Sequence, residues 1–367
     1  MPQVSRLEAD VLVIGGGSAG AMAAIRAKEL NPRARVVIVE KAHVKYSGSI
    51  VRGMDALNVV AIPGVATPEE YVRSIRQQCD GVADEVSNYV LAKRSWTLMQ
   101  KLASWGVDFP QDEEGNYEVL QAHPAGRFVV SMKEPALKTI LASRLLDNGC
   151  LVLNRTMAVE LLTDGARVCG ALGLNTRTGD LVACEAKATI LAAGGAARFG
   201  LPNSGYLYGT FDCPANTGDA YALAFSAGAE LTGLEYTICM YVVKDLNVPL
   251  LYITLTRGAR LIDVLDELLE GSERPSVERM VEEHRRDRGP LRIRVQHLPR
   301  AQIEAIEDIL FSTERPVLKR FLEHRGIDFR RKDVELAPTE FFLCGGHGLT
   351  GVAVDERGAA SVPGLYA

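Results

Sequence analysis

Three glycines and a glutamate near the start of the sequence have the types and spacing that bind a dinucleotide. The stretch GGGSAG carries Gly15, Gly17 and Gly20 in a G-x-G-x-x-G pattern, and Glu40 follows twenty residues later. The first glycine permits a tight turn, the second lets backbone N–H groups approach a diphosphate, and the third lets a helix lie against a strand. A carboxylate at Glu40 would accept hydrogen bonds from ribose hydroxyls. The pattern therefore predicts a nucleotide site.

The elements around these residues have the order that the site requires. DVLVI (10–14) is typical of a buried parallel strand, AMAAIRAKEL of a helix, and RVVIVE of a second buried strand ending in Glu40. The helix N-terminus would supply partial positive charge for phosphates. This βαβ unit opens the chain, and a Gly/Ser-bearing loop follows it instead of a second βαβ unit, which favours FAD over NAD. A glycine-rich turn in an ordinary α/β domain is the alternative.

Composition excludes several classes of protein. The 367 residues predict two or three domains, and a net charge of −5 gives no general basic field for nucleic acid. No apolar stretch reaches the roughly 20 residues that span a bilayer, and the start of the sequence lacks the apolar core of a signal peptide. Seven cysteines are scattered singly, which predicts neither a metal nor an iron–sulfur site in this chain and suits reduced thiols in the cytoplasm.

Residues 10–58 resemble the start of the fumarate reductase and succinate dehydrogenase flavoprotein superfamily, which includes L-aspartate oxidase and the adenylylsulfate reductase α subunit. Further segments resemble the family in order: ATILAAGG (188–195), NTGDAYALAFSAGAEL (216–231) and CGGHGLTGVAVDERGAASVPGLYA (344–367). The resemblance implies an α/β fold in which a Rossmann-like FAD-binding domain (1–232 and 338–367) carries an inserted α+β capping domain (233–337). We expect substrate to bind between the two domains.

The resemblance also implies which residues hold FAD. They are Gly15, Gly17, Ser18, Ala19, Gly20, Glu40, Lys41, Ser47, Gly48, Ser49, Gly53, Ala158, Ala193, Gly194, Thr217, Gly218 and Asp219. Succinate dehydrogenases attach the flavin to a histidine, and Gly48 stands at the matching position. Because glycine has no nucleophile, we expect non-covalent FAD.

Fumarate reduction or succinate oxidation is disfavoured, because motifs of the relatives with that activity are missing. No His-Pro-Thr follows Glu235, and Phe341 replaces a histidine four residues before Gly345-Gly346. Two loops, SGSIVRGMDALN (47–58) and CGGHGLTGVAVD (344–355), instead resemble the adenylylsulfate reductase branch.

Three residues are the candidate catalytic set. Asn58 and His347 stand at the positions of that branch's substrate-side asparagine and active-site histidine, and Arg257 stands at the family position of an anion-binding arginine. A histidine near the flavin can act as a general acid or stabilise developing charge. An arginine can hold an anionic group with two hydrogen bonds. A structural role for His347 and a surface position for Arg257 are the alternatives.

The sequence carries no motif for passing electrons onward by itself. It has no cysteine cluster, no haem motif and no second G-x-G-x-x-G for NAD(P)H. We expect an FAD-dependent oxidoreductase subunit that acts on a small anionic substrate and exchanges electrons with a ferredoxin-like iron–sulfur subunit, as relatives of the adenylylsulfate reductase type do. Oxidation by O₂, as in L-aspartate oxidase, and a non-catalytic flavoprotein or assembly component are the alternatives.

The sequence stops at VPGLYA, a strand-like pattern. In the family, this strand is followed by a turn, a Gly-rich loop and a helix facing the flavin. We therefore expect a C-terminally truncated FAD site and weak FAD retention unless another segment completes it.

Overall fold

A computed structural model describes most of the chain. The described residues are 4–52, 56–120, 126–197, 213, 215–237, 239–244, 250–269, 277–314, 318–339, 343 and 350–367.

Strands make up one large sheet and three small ones within these ranges. The strands are β1 (Val4–Ile14), β2 (Val36–Glu40), β3 (Ala56–Leu57), β4 (Val119–Leu120), β5 (Val129–Ser131), β6 (Leu151–Asn154), β7 (Thr156–Asp164), β8 (Arg167–Asn175), β9 (Leu181–Leu191), β10 (Leu231–Thr232), β11 (Tyr241–Val243), β12 (Arg260–Ile262), β13 (Arg292–Arg294), β14 (Val334–Pro338), β15 (Gly351–Val352) and β16 (Leu365–Tyr366).

Helices connect and cover these strands. They are α1 (Ser18–Leu30), α2 (Pro68–Gln78), α3 (Glu85–Ser104), α4 (Leu137–Asp147), α5 (Asp219–Ser226), α6 (Leu250–Leu255), α7 (Val277–Arg285), α8 (Arg300–Asp308) and α9 (Leu318–His324), with a 3₁₀ turn at Ser49–Arg52 and a π-helical turn at Ile309–Glu314. No helix in the described ranges is both long enough and apolar enough to cross a membrane.

The large sheet has β1 at its centre and the strand order β6-β2-β1-β9-β8-β7. β1 pairs in parallel with β2 and β9, and β6 pairs in parallel with β2. β7 and β8 continue the sheet as antiparallel strands. Every residue of β2 (VVIVE) is buried, as a parallel strand covered on both faces requires. The predicted α/β fold is confirmed.

The two faces of this sheet carry different cores. Val13 and Ile38 pack with Ala21, Ala24 and Ile25 of α1, where the small alanines let the helix lie close to the strands. The neighbouring residues Leu12 and Val37 pack on the opposite face, against β7 and α5. This alternation follows from the two-residue period of a strand.

A four-stranded antiparallel sheet, ordered β11-β14-β13-β12, forms a separate unit of packing. Its core includes Tyr241, Leu261, Ile293 and Leu336, with Ile306 of α8 packed against them. These elements fall almost wholly within the predicted capping domain, 233–337. The boundaries of that domain stay a prediction.

The VPGLYA segment forms the predicted strand. Leu365 and Tyr366 pair in parallel with Thr189 and Ile190 of β9. β8 pairs with the N-terminal part of β9, from Leu181 to Glu185. One edge of β9 is thus shared by two strands from distant parts of the chain.

Candidate functional site

A cleft of about 280 Å³ opens at the carboxyl ends of β1, β2 and β9, where α1 begins. This is the edge of a parallel sheet at which α/β proteins bind ligands. The cleft brings together most of the residues predicted to hold FAD. Those that line it are Gly15, Gly17, Ser18, Ala19, Glu40, Lys41, Ser47, Gly48, Ser49, Ala158, Ala193, Gly194 and Asp219.

Each glycine of the motif has the geometry that its predicted role requires. Gly15 has φ +103°, and a Cβ there would overlap the carbonyl of Ala192. A Cβ at Gly20 would overlap the carbonyl of Gly15, so Gly20 lies beneath the cleft and lets α1 approach β1. A Cβ at Gly17 would meet nothing within 4 Å. Gly17 therefore borders open space.

The N-terminus of α1 faces this space without a side-chain cap. Gly17 is the N-cap residue, and within the part of the chain that the structure describes this helix end has no side-chain capping hydrogen bond. The first N–H groups of a helix have no partner within the helix. Together with the helix dipole, they form a site for an anion such as a diphosphate.

Glu40 is held in place by two backbone groups. Its side chain is buried, and Oε2 accepts a hydrogen bond from the Gly16 N–H (2.8 Å) while Oε1 accepts one from the Ala42 N–H (2.8 Å). An ionised carboxylate has about four acceptor sites. Glu40 can therefore also accept the ribose hydroxyls that the sequence assigned to it.

Lys138 is a site residue that the sequence analysis missed. It lies on α4 with 2% of its surface exposed, and its Nζ donates a hydrogen bond to the Gly16 carbonyl. Burial lowers the pKa of Lys138 to about 8, while the charge of Glu40 acts to raise it. One signal was available, because Lys138, Leu141, Ala142 and Leu145 form an i, i+3, i+4, i+7 stripe that is apolar except for the lysine.

The NTGD segment forms a second wall of the cleft. Lys41 Nζ donates to Asp219 Oδ2 (2.5 Å) and to Thr217 Oγ1 (3.1 Å), and Thr217 Oγ1 donates to Asp219 Oδ1 (2.8 Å). Thr217 is thus linked to the cleft through its neighbours. Gly218, with φ +80°, is the N-cap of α5. Through Lys41, the segment Thr217–Gly218–Asp219 of the predicted set is joined to the end of β2.

Asn216 is a second residue that the sequence analysis did not select. It lines the cleft, and its Nδ2 donates to Ser49 Oγ (3.5 Å). A Cβ on Gly194 would come within 3.0 Å of that same Nδ2. The asparagine therefore packs directly against the predicted Gly194. Asn216 is the first residue of the NTGD segment (216–219), next to the predicted Thr217, and this position was the available signal.

The segment Ser47–Gly48–Ser49 faces the phosphate-binding loop. Gly48 has φ +80°, and a Cβ there would lie 3.2 Å from the Cα of Gly17. Ser47 is 8% exposed, and its buried Oγ has no hydrogen-bond partner among the described residues. An unpartnered buried hydroxyl costs free energy unless a ligand or water satisfies it. This orphan hydroxyl and the open helix N-terminus both fit FAD.

Asn58 and Arg257, the candidate catalytic residues that the structure describes, do not line this cleft. Asn58 is exposed just after β3 and does not line the cleft. Arg257 is half-buried and folds back on its own helix end, where Nη1 donates to the Ile253 carbonyl (3.0 Å) and to Thr256 Oγ1 (3.3 Å). His347 and the predicted FAD residue Gly53 lie outside the described residues, as do Phe341 and Gly345-Gly346. The catalytic assignments stay predictions.

The parallel sheet, the glycine-rich turn and the carboxylate at the end of β2 together define a Rossmann-like dinucleotide-binding protein. The chain matches the family described as "FAD binding domain" over residues 10–245, more than half of its length. The chain belongs to this family of FAD-binding proteins. The family resemblance predicted from the sequence is confirmed, because the homologues of this chain include L-aspartate oxidase, adenylylsulfate reductase and fumarate reductase flavoproteins.

Two relatives and one solved structure illustrate the similarity. The chain is 31% identical to L-aspartate oxidase of Halobacterium salinarum, over 98% of this chain and 68% of that protein. It is 28% identical to adenylylsulfate reductase subunit alpha of Megalodesulfovibrio gigas, over 64% of this chain and 39% of that protein. The structure of adenylylsulfate reductase from Archaeoglobus fulgidus superposes with a TM-score of 0.85 at 23% identity, covering 100% of this chain and 65% of that one. The chain thus spans about two thirds of the length of that structure.

Proposed function

We propose that this chain is the FAD-binding flavoprotein part of an oxidoreductase that carries out two-electron redox on a small anionic substrate. The observation that carries the proposal is the cleft in which the uncapped start of α1, the carboxylate of Glu40 and the orphan hydroxyl of Ser47 face the same space. FAD, when bound, supplies the electron-transfer chemistry, and the protein supplies binding and orientation.

The residues of the cleft divide the work of holding FAD. Backbone N–H groups at the start of α1 hold the diphosphate, and Glu40 accepts ribose hydroxyls. Ser47 and Ser49 present hydroxyls to the cofactor. Gly48 offers no nucleophile, so the cofactor is held without a covalent bond.

The substrate end rests on three residues taken from the sequence. In Arg257, Nη1 donates hydrogen bonds to groups at the end of its own helix, and a guanidinium has five N–H donors in all. Its remaining donors can hold an anionic group. Asn58 orients the substrate, and His347 gives or takes a proton near the flavin. An adenylylsulfate reductase-like activity is the favoured version, supported by the two loop resemblances around Asn58 and His347. Fumarate reduction or succinate oxidation is the less favoured version.

A ferredoxin-like iron–sulfur subunit is the proposed electron partner. The support is that one relative is named as subunit alpha of adenylylsulfate reductase, and that the cysteines of this chain occur singly. The cytoplasm is the proposed location, because the described cysteines are free thiols.

The experiment that tests the proposal starts from the purified chain mixed with FAD. Quenching of flavin fluorescence as FAD is titrated with the chain supports the cofactor site, and unchanged fluorescence at a large excess of chain contradicts it. Loss of flavin on gel filtration alone is the weak retention that the sequence predicts. The reduced, anaerobic protein is then mixed separately with adenylylsulfate, fumarate, O₂ and an oxidised ferredoxin. Reoxidation by adenylylsulfate and ferredoxin supports the favoured version, and reoxidation by fumarate alone supports the second. Reoxidation by O₂ alone contradicts the iron–sulfur partner. Stable reduced flavin with every acceptor contradicts the oxidoreductase role and supports a non-catalytic flavoprotein.

A further inference from the structure

The backbone of Gly16 contacts two buried charged side chains of opposite sign, one through its N–H and the other through its carbonyl. Its N–H donates to Oε2 of Glu40 (2.8 Å), and its carbonyl accepts from Nζ of Lys138. Glu40 is 5% exposed and Lys138 is 2% exposed. Both side chains are therefore shielded from water. Because water screens a buried charge less, each of these groups interacts with the Gly16 backbone more strongly than an exposed charged group would.

The orientation of Gly16 matters for an anion bound above it. Gly15 and Gly17 line the cleft, while Gly16 does not. A carbonyl oxygen turned toward a diphosphate would repel it. The hydrogen bond from Lys138 holds this carbonyl against α4 instead, and leaves the N-terminus of α1 to face the cleft.

Lys138 has unused capacity as a donor. Among the described residues, the Gly16 carbonyl is the hydrogen-bond acceptor found for its ammonium group. An ammonium group has three donors. A buried ammonium with one acceptor is costly, and this cost falls when a second negative charge arrives nearby.

We propose that Lys138 is a positioning residue for the phosphate-binding loop, whose ammonium fixes the Gly16 carbonyl and offsets the charge of the FAD diphosphate, so that FAD binding is coupled to protonation of Lys138. The inference rests on the proposed FAD site and adds a residue and a pH dependence to it.

Among the described charged groups near α4, Glu40 is the one whose charge affects the pKa of Lys138. The carboxylate of Glu134, just before α4, accepts the Ala136 N–H. Across α1, Glu29 is paired with Arg26 and Lys101. The desolvation of Lys138 and the charge of Glu40 are the two influences on its pKa. The 3₁₀ turn Ser49–Arg52 also packs on α4.

The sign of the coupling follows from these two influences. Burial lowers the pKa of Lys138 to about 8 in the protein without FAD. The negative diphosphate favours the ammonium and raises that pKa. Between the two pKa values, FAD binding takes up a proton, and the dissociation constant of FAD rises by up to about tenfold per pH unit. Below pH 7 the dissociation constant is flat.

The test is the dissociation constant of FAD for the full chain, measured by flavin fluorescence quenching from pH 6.5 to 9.5. Lys138→Met is expected to weaken FAD binding roughly 10- to 100-fold at pH 7, the effect of losing a charged hydrogen bond, and to abolish the pH dependence. Lys138→Arg, which stays charged, is expected to restore most of the affinity and to be flat with pH. Lys28→Met removes a lysine that also donates to backbone carbonyls and is expected to behave as wild type.

Two results overturn the inference directly. One is a Lys138→Met protein that keeps the wild-type pH dependence, and the other is a Lys138→Arg protein that folds but binds as weakly as Lys138→Met. Circular dichroism and thermal melting check that each variant folds.

A wild-type chain that binds no FAD at any pH would instead contradict the proposed FAD site. The loop-fixing role of Lys138 is then decided by hydrogen–deuterium exchange of a peptide covering residues 14–22 without FAD. Faster exchange in Lys138→Met but not in Lys138→Arg supports it, and unchanged exchange in Lys138→Met overturns it.

Discussion

Lys41 and Asp219 are 178 residues apart in the sequence and form an ion pair of 2.5 Å between Nζ and Oδ2. The pair closes one wall of the cleft by joining the residue after β2 to the first residue of α5. Both side chains are about one quarter exposed, so solvent screens the pair only in part.

The Lys41–Asp219 pair is expected to hold that wall for FAD. We predict that Lys41→Met or Asp219→Asn weakens FAD binding by about 1 kcal/mol, roughly fivefold, in line with partly exposed pairs. The double variant is expected to lose less than the sum of the single losses, because both remove one interaction. The measurement is the FAD dissociation constant.

A matched control is the exposed pair between Lys244 Nζ and Glu335 Oε1 (2.7 Å) in the four-stranded sheet. Lys244→Met is expected to leave FAD affinity unchanged. If the losses at Lys41 and Asp219 simply add, the two side chains do not act as a pair.

Alanine substitutions at Gly17 and Gly20 are expected to have different effects, one on FAD binding and the other on the stability of the fold. At Gly20, a Cβ would overlap a backbone carbonyl that cannot move aside. We predict that Gly20→Ala lowers the free energy of unfolding by at least about 1–3 kcal/mol, the usual cost of overpacking. Urea denaturation without FAD measures this loss.

At Gly17 the added methyl group would have no described protein atom within 4 Å. We predict that Gly17→Ala changes the stability without FAD by no more than about 1 kcal/mol, yet weakens FAD binding at least roughly tenfold, because the methyl group enters the space of the diphosphate. A Gly17→Ala protein with normal FAD affinity would show that the diphosphate does not approach this residue.

Gly48 is expected to keep the cofactor non-covalent. We predict that acid precipitation releases all of the bound flavin into the supernatant, measured by its absorbance. Gly48→Ala is expected to weaken FAD binding by about 1–2 kcal/mol, because its φ of +80° is unfavourable for alanine and its Cβ would press on Gly17. Flavin that stays with the precipitated protein would contradict the non-covalent site.

Lys138 is expected to make the protein without FAD more stable as the pH rises. Because burial lowers the pKa of Lys138 to about 8, the unfolded chain binds more protons there than the folded one above that pH. Stability attributable to this residue therefore increases from about pH 8 toward the ordinary lysine pKa, by up to about 3 kcal/mol.

Urea denaturation of wild type and Lys138→Met at pH 7 and pH 9.5 isolates this effect. Other groups, including the buried thiol of Cys184, whose pKa is raised to about 11 by burial, titrate alike in both proteins. The stability difference between wild type and Lys138→Met should move in favour of wild type at pH 9.5. A difference independent of pH would mean that Lys138 keeps one protonation state throughout.

The parts of the site that depend on local sequence could be predicted. Gly15, Gly17 and Gly20 act through backbone geometry within one turn, and Glu40 is fixed by the length of the βαβ unit. The fold followed from the same unit, and the strand at Leu365–Tyr366 from its apolar pattern.

The parts that depend on tertiary contacts could not be predicted. Nothing in the sequence states that Lys138 reaches the Gly16 carbonyl from a helix 122 residues away. The direction of the Arg257 side chain could not be predicted either. Its guanidinium donates to the Ile253 carbonyl of its own helix, and this choice of acceptor depends on the folded structure. Asp263 was hidden among charged residues, yet it is 1% exposed and paired with Arg288.

The shared edge of β9 has a consequence for how the chain is made. Thr189 leaves the ribosome 176 residues before its partner Leu365, which at typical synthesis rates is on the order of 10 seconds or more. During that interval this part of β9 has an exposed edge of unpaired backbone groups beside an otherwise paired sheet. Such an edge is a template for pairing with other chains. The nascent protein is therefore most exposed to aggregation after its nucleotide-binding half has formed and before β16 emerges.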